Sequence, residues 1–153
     1  MIADRTAAAT TGWPLAVCPT LILLALTMAA PARSEGALAL GLPKDVVKQG
    51  VAAGYAVNHP NPVSAQEQAL KECRTFVMEP QATTKLCKIV STFRDQCLSI
   101  AMDPQAGTPG FGWAIANTKD LAEKDALSRC AATAGRDRDK FCKIDVTKCD
   151  GQQ

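Results

Sequence analysis

Short apolar stretches, broken by glycine, proline or charge, run along this chain in a pattern that predicts alternating strands and helices. Ala37-Leu38-Ala39-Leu40, closed by Gly41 and Pro43, predicts a first strand. Lys44 to Gln49 turns the chain, and Val51 to Val57 predicts a second strand with Tyr55 and Val57 on one face and Ala56 on the other. Gly54 inside that strand implies a bulge or the close approach of another backbone, because it has no side chain to pack. From Pro62 to about Val77 the period becomes helical. Ala65, Ala69, Cys73 and Phe76, with Leu70 and Val77 beside them, share one side, and Glu67, Lys71, Glu72 and Arg74 face solvent. Asn61 precedes that helix as a cap, and Pro62 suits its first position. Glu79 to Lys85 is polar and predicts a loop, after which Cys87 to Phe93 predicts a third strand.

The cycle then starts again. Cys97 to Met102 predicts the opening strand, and the Pro- and Gly-containing stretch from Asp103 to Gly110 its turn. Phe111 to Ala116 predicts the next strand, with Trp113 and Ile115 on one face. Thr118 caps a helix from Lys119 to about Thr133 that presents Ala122, Ala126, Leu127, Cys130 and Ala134. Arg136 to Lys140 is a mixed-charge loop. Phe141 to Lys148 predicts the last strand, with Cys142, Ile144 and Val146 on a single face.

Two strand-strand-helix-strand units therefore follow one another, residues 37–96 and 97–149. Gly54 to Cys73 returns in outline as Gly112 to Cys130, and Ala69-Leu70-x-x-Cys73 matches Ala126-Leu127-x-x-Cys130. The fold class expected is α+β: one antiparallel or mixed sheet of about six strands with both helices on one face. Tyr55 and Trp113, at matching places, are expected to pack as core against the helices; on an open face they would instead suit a sugar or peptide.

Composition adds a compartment. Arg5, the apolar run from Leu21 to Ala30 and Ala30-Pro31-Ala32 read as an export signal over residues 1–32, with the mature chain starting at Arg33. The apolar run is roughly half of what a membrane span needs, so no permanent span is expected after cleavage. Residues 33–36 are a short lead-in, 37–149 a single domain and 150–153 a tail. A net charge of +2 argues against a nucleic-acid partner held by phosphate contacts.

Seven cysteines occur, and Cys18 leaves with the signal, so an even number remains in an exported chain. Cys130 on its helix and Cys142 on its strand share the apolar face and are expected to bond, and by the repeat Cys73 to Cys87. Cys97 and Cys149 remain, and are expected to bond as the link between the two units.

Nothing in the chain names a reaction. His59 is the only histidine, in the loop Asn58 to Asn61, and no Cys-x-x-Cys, Walker or dinucleotide motif occurs. Catalytic residues, a metal site and a cofactor are therefore not expected; the remaining candidates for binding are Tyr55, His59, Trp113, Arg136 and Arg138. The doubled Gly-Tyr/Trp, Ala-x-x-x-Ala-Leu-x-x-Cys and Cys-Lys-Ile pattern, from Gly54-Tyr55 to Cys142-Lys143-Ile144, resembles a family of small exported bacterial proteins classed as domain of unknown function 4189. The resemblance covers about Ala37 to Cys149 and implies export and a non-catalytic, disulfide-bonded module. The function expected is a periplasmic or secreted interaction or inhibitor-like module with a protein or cell-envelope partner, presenting the loops at Asn58 to Asn61, Glu79 to Lys85 and Arg136 to Lys140. Its rivals are a small envelope hydrolase using His59 or a carboxylate pair, and a glycan-binding module using Tyr55 and Trp113.

Overall fold

The computed structural model of the chain describes residues 34–151, so the export signal expected over residues 1–32, Cys18 and the end of the tail lie outside the described residues. The elements follow in the order β1 (Glu35–Gly41), α1 (Val46–Gln49), β2 (Ala52–His59), α2 (Pro62–Arg74), α3 (Gln81–Thr84), β3 (Lys88–Phe93), β4 (Cys97–Met102), β5 (Phe111–Ala116), α4 (Lys119–Ala134), a 3-10 turn (Asp139–Phe141) and β6 (Lys143–Cys149). The class is α+β, but the strands form two antiparallel sheets of three, ordered β2-β1-β3 and β5-β4-β6, in place of the single sheet expected.

The reason lies in the two central strands. Along β1 the alanines and leucines are all buried, so neither face of the strand is wet. Ala37 and Ala39 meet Ala65, Ala69 and Cys73 of α2, while Leu38 and Leu40 meet Leu98 and Ile100 of β4. On the other side of β4, Ala101 joins Ala114, Ala126 and Cys130 against α4. The result is four layers, helix, sheet, sheet, helix. The two helices lie on opposite outer faces, because the leucine and isoleucine faces of the sheets are apolar enough to cover each other and too bulky to take a helix as closely as alanine does.

That closeness is set by glycine. A Cβ on Gly54 would overlap the backbone nitrogen of Cys73 and the carbonyl oxygen of Ala69, and one on Gly112 the matching atoms of Cys130 and Ala126. Each helix thus rests directly on the backbone of the strand beneath it, through Ala65, Ala69 and Cys73 of α2 or Ala122, Ala126 and Cys130 of α4. Asn61 and Thr118 cap the two helices by accepting from the N–H groups of Ser64 at 2.9 Å and Leu121 at 3.3 Å. α2 stops at Arg74, short of the expected Val77, so Phe76 is on the surface and Val77 is 91% exposed.

The two sheets share a register. Leu38 stands between Tyr55 and Ser91, and Ile100 between Trp113 and Val146. Immediately after each of these central residues the pairing slips by one, between Leu38 and Ala39 against β3 and between Ile100 and Ala101 against β6. The slip leaves Asp145 as an extra residue and turns Val146 to the face opposite Ile144. Ile144 therefore packs with Cys142 towards α4 while Val146 packs between the sheets, so the single apolar face expected for the last strand is divided in two. Counting outward from Leu38 and Ile100, Glu35 occupies the place of Cys97 and Arg94 that of Cys149. A Glu35–Arg94 ion pair closes the first sheet where a disulfide closes the second.

Disulfides join Cys73 to Cys87, Cys130 to Cys142 and Cys97 to Cys149. The first two tie each helix to the segment entering the last strand of its own half. The third is a cross-strand bond between directly paired residues of β4 and β6, with the Cα atoms 3.9 Å apart, and so lies within the second sheet. It does not link the two units as expected, because β4 is the central strand of the second sheet and Cys97 belongs to that half. What does bind the halves at this end is Asp150, whose buried carboxylate accepts from the backbone N–H groups of Asn58 at 2.7 Å and Asp95 at 3.2 Å. Gly151 N–H donates in turn to the Asn58 side chain at 2.9 Å.

The sheet edges next to the helices are covered by side chains. Glu72 of α2 accepts from the Tyr55 N–H at 3.3 Å, and Arg129 of α4 donates to the Trp113 carbonyl at 2.9 Å. Thr133 accepts from the Phe111 N–H at 2.9 Å. Edge groups held in this way are withdrawn from pairing with another chain.

Candidate functional site

Between one end of the two sheets lies an open groove of about 680 Å³. Its floor is the inter-sheet layer, with Ala53 and Tyr55 from β2, Ile100 and Met102 from β4, Phe111 from β5 and Val146 from β6. One wall is the turn around α1 and the Phe76–Glu79 stretch after α2, and the other is the β4–β5 connection at residues 103–110. Val47 and Met78 stand on the rim, 45% and 79% exposed, so apolar surface continues from the floor out into solvent.

The walls are held by polar contacts that the strand pattern does not disclose. Thr83 of α3 is fully buried and donates to the Gln49 carbonyl at 2.7 Å, which fixes α1 against the chain after α2. Glu79 to Lys85 is therefore not the free polar loop expected, because a short helix with buried Thr83 and Thr84 occupies it. The Glu79 carboxylate lies where a side chain on Gly50 would be; Gly50 has φ 67°, and no other residue type fits there. Burial pushes the Glu79 carboxyl above the usual carboxylate range, against a weaker opposing pull from the Val51 N–H.

On the opposite wall Asp103 has no exposed side-chain surface and is ion-paired with Arg138, whose Nη2 donates to Oδ1 at 2.8 Å. Arg138 also lies over the Phe141 ring at 4.7 Å. The Arg138 hydrogen bond is the main cause that brings the Asp103 carboxyl down to about 2 from 3.8. Because the folded value is depressed, this pair's contribution to stability is complete above 3.8 and is lost as pH falls from there to about 2. Urea unfolding as a function of pH should therefore show an acid-side loss that Asp103→Asn flattens; an equally steep loss in the variant would assign it to other carboxylates.

The residues singled out by sequence separate. Tyr55 lines the groove, and its phenol is pushed up by burial and then by the charges of Glu72 and Asp145. Trp113 lies outside the groove with Arg129 over its ring at 5.6 Å. Both rings are half-buried and pack between the sheets; apart from the Arg129 side chain that reaches Trp113, the helices meet the opposite strand face at Gly54 and Gly112. Tyr55 and Trp113 therefore do not share one platform. His59 closes β2 opposite Glu35, whose carboxylate is taken by Arg94. Arg138 is not a free surface contact, because Asp103 holds it; Arg136 is exposed. Among the described residues, no group of three His, Cys, Asp or Glu side chains comes together that could hold a metal ion.

Phe76, Met78, Met102, Phe111 and Asp145 line the groove and are not among the binding residues expected from the sequence. Phe76-Val77-Met78, an apolar triplet whose first two residues are expected on the helix face, lies past the helix end at Arg74. Among the described residues no helix is long and apolar enough to cross a membrane. No curated protein and no solved structure matches the chain. The family described as Domain of unknown function (DUF4189) matches residues 36–149, from within β1 to the last cysteine, and the chain belongs to that family.

Proposed function

We propose that the chain is an exported, non-catalytic interaction module, built by internal duplication, that engages a macromolecular partner through the groove between its two sheets. The observation that carries this reading is the groove itself, about 680 Å³ with an apolar floor that continues onto exposed Met78 and Val47. That size falls within the roughly 300–1,000 Å³ of ordinary binding sites. Three disulfides support an oxidising compartment, where such bonds persist. They also support a rigid scaffold, since a preformed groove loses little conformational entropy on binding. The shared strand order and register of the two sheets support the duplication.

Affinity capture from cell-envelope extracts and culture fluid tests the proposal, with three baits: the oxidised protein, its reduced and alkylated form, and the oxidised Met78→Asp variant. A partner retained by the first bait alone is the expected result. Equal retention by the Met78→Asp variant, or no partner while the bait stays intact, would overturn it.

A further inference from the structure

The charges around the groove do not balance, and the imbalance indicates what it takes. Lys48 is the one basic residue of the lining, and its ammonium is 3.4 Å from Asp45. Asp103 is neutralised by Arg138. Asp145 and Glu79 are left, and neither makes an ion pair among the described residues. Asp145 is the extra residue of the β6 bulge and is exposed beside the floor residue Val146. Glu72 adds a third carboxylate behind Tyr55. The Tyr55 phenol is pushed up first by burial and further by the charges of Glu72 and Asp145, which places both carboxylates close to it.

We infer that the groove binds a linear peptide segment in which Lys or Arg stands beside a large apolar side chain, the apolar group seated on the Tyr55, Met102 and Phe111 floor and the cation beside the Asp145 carboxylate. The inference rests on the reading of the groove as the interaction site and names the chemistry of the partner. A peptide suits the site better than an isolated amine, because most of the lining is apolar and would stay wet under an ammonium group alone. The floor and rim methionines, Met102 and Met78, can adjust to anchors of different shape.

Random peptides of about seven residues displayed on phage, panned against the oxidised protein, provide the test. The expected result is enrichment of Lys or Arg next to Leu, Phe, Met or Trp. Synthetic copies should bind about tenfold more weakly, by calorimetry, to each of Asp145→Lys and Met78→Asp, two exposed positions outside the core, with each variant's melting temperature as the check on its fold. Selected peptides that are neutral or acidic, unchanged affinity for both variants, or no enrichment at all would overturn the inference. A captured partner alongside failed panning would remove the basic-apolar peptide and leave the wider reading of the groove standing.

Discussion

Replacing Cys97 and Cys149 together by alanine is expected to lower the folding free energy by about 4 kcal/mol, more than the loss of either other disulfide. The chain-entropy relation for a closed loop gives about 4 kcal/mol for this bond and about 3 for each of the others, since their separations are 52, 14 and 12 residues. The Cys130–Cys142 bond lies inside the long loop and shortens it in the unfolded chain, but the dependence is logarithmic and the value stays near 4. Loss of the sulfurs from packing does not change this order, because each of the three bonds has a fully buried cysteine, Cys97, Cys73 or Cys130. Against a usual total of about 5–15 kcal/mol, such a loss takes a large share of the protein's stability. Guanidinium unfolding of the three double variants without reductant gives the order. If the Cys97–Cys149 pair proved the least costly, the bond's role would lie outside stability.

Gly112→Ala is the second large effect, expected at about 3 kcal/mol and a fall in melting temperature on the order of 10 °C. The added methyl group meets backbone atoms of α4, which cannot rotate away as a side chain could. The helix must lift, and with it Ala122, Ala126 and Cys130, each fully buried at present. Cys130 resists the movement because it is bonded to Cys142. Gly54→Ala should behave alike on the other face, through the backbone of Ala69 and Cys73. A loss below about 1 kcal/mol at both positions would mean that the helices yield freely and that their contact with the strands is not the constraint described above.

These two predictions rest on features that differ in how far the chain reveals them. Local chemistry is legible: Asn61 and Thr118 announce the helix starts, and the strands at Cys97–Met102 and Phe111–Ala116 follow directly from their apolar runs. The alternation of alanine and leucine in β1 held more than was taken from it. A strand apolar at every position needs cover on both faces, and alanine on one face with leucine on the other signals a helix on the first and a bulkier layer, here a second sheet, on the second. The facing of Val146 was beyond reach, because the bulge that turns it depends on pairing with β4, a distant segment. The same holds for the groove, whose floor is gathered from four strands and whose walls hang on the Thr83–Gln49 and Asp103–Arg138 contacts. Arg138 looked like one charge among several in a solvated run, and only the fold shows which carboxylate it was opposite.

The closure at the outer end of each central strand sets how the two sheets can be loosened. Cys97–Cys149 is covalent, indifferent to salt and opened only by thiol or reductase chemistry. Glu35–Arg94 at the corresponding place is an ion pair that ionic strength screens, with Arg94 half in solvent and Glu35 nearly covered. One molecule thus carries two fastenings that answer to different agents. A compartment that changes its salt addresses the first sheet, and one that changes its redox state addresses the second, so the two sheets need not loosen together at this end.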